Sequence, residues 1–218
     1  MIKAEGINKS YDSLQVLKGI NLEIKKSEIV SIVGASGAGK STLLHILGSL
    51  DQADSGKVWI EDTEISKLKQ KKLAEFRNHK IGFVFQAHHL LPEFSAIENI
   101  MMPAWIAKQS KSQAYARAMD LLTILNLQDR KDHRPSELSG GEQQRVAVCR
   151  SLVNNPAVIF ADEPSGNLDS QSAQLLHKLF FELRDKFGQT FVIVTHNVEL
   201  AGMADRKLVM KDGSLLSN

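Results

Sequence analysis

Glu28-Ile-Val-Ser-Ile-Val-Gly34-Ala-Ser-Gly37-Ala-Gly39-Lys40-Ser41-Thr42 joins a short apolar, β-branched run to a glycine-rich turn. The turn feeds Leu43-Leu44-His45-Ile46-Leu47, an apolar run that predicts a helix. Gly34, Gly39, Lys40 and Ser41 fit G-x-x-x-x-G-K-[ST], the phosphate-binding loop. Glycines let the backbone curl so that several N–H groups converge on one anion. The helix start adds unpaired donors and the positive end of a dipole. Candidate phosphate contacts therefore run through Gly34, Ala35, Ser36, Gly37, Ala38, Gly39, Lys40, Ser41 and Thr42. Lys40 can reach the β- and γ-phosphates, and the Ser41 hydroxyl can ligate Mg²⁺. A Gly/Ser-rich turn that merely contains a lysine would not need the strand before it and the helix after it.

Length and charge bound the rest. The 218 residues suffice for one domain carrying a subdomain. A formal net charge of +2 is too small a basic excess for a nucleic-acid partner. Cys149 is the only cysteine, which excludes an internal disulfide and fits a reducing compartment. The N-terminus has no apolar signal core, and no apolar run could span a bilayer. A membrane role would come through a partner.

Upstream of the loop, residues 2–7 and 20–24 alternate apolar and polar, like half-buried strands. Tyr11 falls in the turn between them. It reads either as a ring that stacks on a purine base or as a half-buried edge tyrosine, and spacing alone favours the second. Downstream, Val58-Trp59-Ile60 predicts a strand, and the basic stretch 67–80 a solvated helix face. Ile81-Gly-Phe83-Val-Phe85 predicts a buried strand that ends at Gln86. From residue 88 to about 135 the pattern is helical, over 96–106 and 114–127, with no strand between. This stretch reads as a helical subdomain inserted into an α/β core. Met101, Met102 and Trp105 within it suit either core packing or a partner-binding face.

Ser139 precedes glycines and a helical run, which makes a second anion-binding helix start. One phosphate loop already holds a nucleotide tail, so a site shared between two copies of the chain explains the second. Val158-Ile159-Phe160-Ala161-Asp162-Glu163 predicts a buried strand ending in two acids. Lying parallel beside the phosphate-loop strand, it would carry both to the sheet's carboxyl edge. Asp162 then suits Mg²⁺, and Glu163 suits deprotonation of the attacking water. A lone pair of this kind is usually a turn or helix cap, but the apolar run before it and the phosphate loop upstream favour chemistry. His196 follows another buried strand, 191–194; a lone histidine after a strand is more often structural, but its place at the same edge as Asp162 favours a functional role. Residues 207–210 and 214–216 predict a closing hairpin.

The ordered set resembles the nucleotide-binding subunit of ATP-binding-cassette transporters over essentially the whole chain. The decisive element is Leu138-Ser139-Gly140-Gly141-Glu142-Gln143, which phosphate-loop kinases and GTPases lack. No Asn-Lys-x-Asp motif for guanine is present either. The resemblance implies a phosphate-loop α/β core with an antiparallel β subdomain and a helical subdomain. It implies Tyr11 against adenine, Gln86 as a lid and metal-ligand residue, and Ser139, Gly140, Gly141 and Glu142 on nucleotide. It also implies a D-loop at 167–169 and His196 as a switch at the γ-phosphate. ATP and Mg²⁺ are the implied cofactors. The implied partners are a second copy and integral membrane permease subunits, at the cytoplasmic face of a bacterial inner membrane. Within the family, His88-His89-Leu90-Leu91-Pro92-Glu93-Phe94-Ser95-Ala96-Ile97-Glu98-Asn99 with Met102-Pro103, His133-Arg134-Pro135-Ser136-Glu137-Leu138 and Leu152-Val153-Asn154-Asn155-Pro156 look most similar to subunits of lipoprotein-releasing systems. Macrolide or peptide exporters and cell-division complexes are the neighbouring alternatives. Ser165 stands where that group usually has threonine, and Cys149 where alanine is common.

Overall fold

The computed structural model describes residues 1–216. It divides into two compact units: residues 1–74 with the chain from Phe181 onward, and residues 75–180. The first unit opens with β1 (Ile2–Tyr11) and β2 (Leu14–Ile24), then β3 (Ile29–Gly34), α1 (Lys40–Leu47), β4 (Ser55–Ile60) and β5 (Thr63–Glu64). β1 pairs antiparallel with β2 and with β4. It buries Ile2, Ala4 and Ile7 while Lys3 and Glu5 face water, the one-sided alternation expected of an antiparallel sheet. Tyr11 is the last residue of β1 and pairs with Leu14 across a tight turn. The expected loop position is thus corrected: Asp12, at φ 51°, makes the turn instead.

α2 (Gln70–Lys80) leads into the second unit, and none of its residues is buried. The solvated basic face expected of this stretch is what the structure has. β6 (Ile81–Phe85), α3 (Ala96–Ile106), α4 (Lys111–Ile124), α5 (Gly140–Leu152) and β7 (Val158–Asp162) follow. β6 and β7 run parallel, Ile81 opposite Val158 and Phe85 opposite Asp162. Each of the three helices starts on a reciprocal cap, Ser95 with Glu98, Ser110 with Gln113, and Ser139 with Glu142. The Ser110 cap explains why α4 begins before residue 114. Met101 belongs to the core, Met102 and Trp105 are half-buried, and Ile106 is exposed.

α6 (Ser170–Phe187) leads back to the first unit, which closes with β8 (Thr190–Val194), α7 (Val198–Met203) and the hairpin β9 (Arg206–Lys211) and β10 (Ser214–Leu215). β3 pairs in parallel with β8 on one side and β9 on the other. Ile29, Val30, Ser31 and Ile32 are all buried, as for a parallel strand covered on both faces. With both edges of β3 taken, the strand ending at Asp162 is not its direct neighbour.

Candidate functional site

In the first unit, β3 delivers the chain to the phosphate loop with its carboxyl end open. A Cβ on Gly34 would run into the Met210 carbonyl, and Gly39 takes φ 96° where a Cβ would meet Leu17 Cδ2 at 2.9 Å. Both positions need glycine to let the loop turn. Ala35, Ser36, Gly37 and Ser41 are exposed, while Ala38 and Gly39 are buried beneath them. No side chain caps α1, and its first turn carries no acid. That leaves the positive end of the helix to an incoming anion. Lys40 arches back over the loop, its Nζ donating to the carbonyls of Gly34 at 3.0 Å and Ala35 at 2.9 Å.

Tyr11 stands beside this loop. Its phenol donates to Asp51 Oδ2 at 2.5 Å, and the Thr42 hydroxyl also reaches the phenol oxygen. The bond to the Asp51 carboxylate pushes the phenol pKa up. Lys9 Nζ lies 5.1 Å from the ring centroid, yet the residue remains 47% exposed. A fixed, half-open aromatic next to a phosphate loop can take a base by stacking. His196 is exposed just past β8, whose Val194 lies opposite Ile32; the Thr195 N–H donates to the Ile32 carbonyl at 3.2 Å. The histidine therefore emerges at the edge where the phosphate loop begins.

In the second unit, Asp162 ends β7 in regular strand geometry and Glu163 follows at φ 46°. A left-handed glutamate is strained backbone, which persists where surroundings over-determine it. The turn is closed by the Gly166 N–H on the Glu163 carbonyl at 3.0 Å. Gln144, wholly buried in α5, donates to the carbonyls of Phe85 at 3.2 Å and Pro164 at 2.6 Å. One amide thereby ties the ends of β6 and β7 to α5.

Ser139 and Gly140 are exposed at the start of α5, and Gly141 is buried where a Cβ would meet Ser172 Oγ at 2.9 Å. Glu142 is committed within the fold. Its Oε2 accepts the Ser139 N–H at 2.8 Å and its Oε1 accepts Arg130 Nε at 2.9 Å. The Ser139 N–H and the Arg130 guanidinium hold this carboxyl down to about 2. Glu142 thus shapes the serine turn, and Ser139 and Gly140 are the groups left facing outward. Gln86 bonds to Asn167 at 2.7 Å. Beyond it His88 and His89 both take positive φ, 58° and 49°, and Arg150 donates to both of their carbonyls.

The structure thus gathers Tyr11, the phosphate loop and His196 in one unit, and Gln86, Asp162, Glu163 and the Ser139–Glu142 turn in the other. Residue-by-residue reading missed Arg130, Gln144 and Arg150. Each acts on a backbone or carboxylate group far along the chain, and no local spacing marks that.

A family model described as ABC transporter matches residues 17–166. The lipoprotein-releasing system ATP-binding protein LolD of Bacteroides thetaiotaomicron is 61% identical over 215 residues, 99% of each chain. Its counterpart in Cytophaga hutchinsonii is 59% identical over 216 residues, again 99% of each chain. The ATP-binding cassette MJ0796, solved as a dimer in a post-hydrolysis state with ADP and Pi, superposes with a TM-score of 0.90 at 39% identity. That match covers 100% of this chain and 97% of the other.

Proposed function

The chain belongs to the ABC transporter family, and on that premise we propose that it is the ATP-hydrolysing subunit of a lipoprotein-releasing complex of a bacterial inner membrane. The observation that carries this is end-to-end identity of 61% with a subunit of that system. Among the described residues no helix is long and apolar enough to cross a membrane. In this reading integral permease subunits supply the membrane part, and this chain sits peripherally on their cytoplasmic face.

In this reading two copies close around two ATP molecules. The loop 34–42 of one copy holds the phosphates through backbone N–H groups and Lys40, and Tyr11 stacks on the adenine. Ser139 and Gly140 of the other copy cover the same γ-phosphate. Ser41 in the first unit, and Gln86 and Asp162 in the second, each carry a hard oxygen donor of the kind that suits Mg²⁺. When bound, that ion neutralises charge on the phosphates. Glu163 accepts a proton from the attacking water, and His196 steadies the γ-phosphate. Catalysis is then mostly positioning and electrostatics, and opening after hydrolysis drives the membrane partner.

Affinity purification from membranes tests the assignment. The expected result is co-purified permease subunits that, reconstituted with this chain in proteoliposomes, release a lipoprotein only when ATP is hydrolysed. Co-purification with an exporter or a cell-division complex that releases no lipoprotein would overturn it.

A further inference from the structure

Gln86 and Asn167, 81 residues apart, exchange two hydrogen bonds. Gln86 Nε2 donates to Asn167 Oδ1 at 2.7 Å, and Asn167 Nδ2 donates to the Gln86 main-chain carbonyl at 3.2 Å. This pair permits only one orientation of each amide. A main-chain carbonyl can only accept, so Asn167 must turn its NH₂ to it. Asn167 then has only its oxygen left for Gln86. Gln86 must answer with its own NH₂, and its Oε1 is turned away from Asn167.

Gly166 forms the wall of this seat. A Cβ there would lie 2.8 Å from Gln86 Nε2 and 2.9 Å from its Cδ. The glutamine amide occupies the volume that any larger residue would fill. Gly166 is itself held by its N–H on the Glu163 carbonyl, so the seat is fixed to the turn that carries Glu163.

We propose that Asn167 and Gly166 are positioning residues for Gln86, orienting its amide so that Oε1 rather than NH₂ is presented to a divalent cation. The proposal rests on the ATPase reading for the identity of that cation. A flipped amide would turn N–H donors toward a positive ion, so the orientation matters for affinity rather than only for order. The turn after β7 therefore controls metal binding by a residue that follows β6.

The test has two readouts. In nucleotide-free protein, the Gln86 side-chain amide resonances are identified by their loss in Gln86→Glu. They should show slow solvent exchange in wild type and fast exchange in both Asn167→Ala and Gly166→Ala. In the Glu163→Gln background, where ATP is not consumed, Mn²⁺ affinity read by electron paramagnetic resonance should fall about tenfold in each variant, the scale for losing an outer-shell partner. Asn167→Asp keeps an acceptor for Nε2 but sets a carboxylate against the Gln86 carbonyl, and should fall between. Unchanged amide exchange in both variants would overturn the seat, and lost protection with unchanged Mn²⁺ affinity would overturn its role. Failure of the otherwise unaltered Glu163→Gln protein to bind Mn²⁺ with ATP would take down the ATPase reading, and the proposal with it, while leaving the amide readout intact to tell the two failures apart.

Discussion

In the proposed mechanism Glu163 is the base. Its left-handed backbone, at φ 46°, breaks the strand alternation, so its carboxylate need not follow the direction set by Asp162. Glu163→Gln keeps the shape and removes the base. Turnover should fall by about 100-fold or more while ATP still binds. Single-turnover hydrolysis against equilibrium nucleotide binding checks this, and wild-type rates would remove Glu163 from the role. Glu142 makes a different prediction. Its carboxyl is pulled from 4.5 to about 2, first by the Ser139 N–H and then by Arg130. A folded value below the unfolded one stabilises the protein above the unfolded value, and that contribution is lost as pH falls toward the folded one. Wild type should therefore lose more melting temperature than Glu142→Gln as pH drops from about 4.5 toward about 2. Parallel melting curves in the two proteins would reject the linkage.

At the scale of elements, the chain carries local marks of three helix starts but none of the loop before α3, although periodicity alone puts the start of α4 at 114 rather than Lys111. Ser95, Ser110 and Ser139, each three residues ahead of Glu98, Gln113 and Glu142, carry the cap signature in the chain itself. The segment before α3 has no such signature. It is shaped by Asn99, which is 1% exposed. Asn99 Nδ2 donates to the carbonyls of Leu91 at 3.1 Å, Phe94 at 3.0 Å and Ser95 at 3.0 Å, and its Oδ1 accepts the Leu91 N–H at 2.8 Å. Asn99→Leu keeps the volume roughly and strands these backbone groups. It should cost about 2 kcal/mol. Urea denaturation measures that loss, and a change of a few tenths would mean water replaces the amide. If this segment meets the permease in the proposed complex, the same variant should also weaken capture of that partner.

At the scale of the whole molecule, Ser139 separates a cap from a shared active site. As a cap alone, its loss costs on the order of 1 kcal/mol of stability. As the group over the partner copy's ATP, Ser139→Arg should block closure, abolish most hydrolysis and leave nucleotide binding to each monomer intact. Sedimentation of the protein in the Glu163→Gln background with ATP should then show monomer in place of dimer. Full activity of Ser139→Arg would end the shared-site mechanism. The chain alone determined the phosphate loop, most of the order of strands and helices, and the cap at Ser139, because these rest on hydrogen bonds and side-chain periods spanning a few residues. Tyr11 shows where that reach ends. Its strand neighbours were readable, but its phenol is held by Asp51, 40 residues away. Only the tertiary structure decided that contact, the Arg130 hold on Glu142, the Gln144 tie between two strand ends and the seat of Gln86. Each depends on where separate elements come to pack, and a polar side chain carries no local mark of the distant carbonyl or carboxylate it will meet.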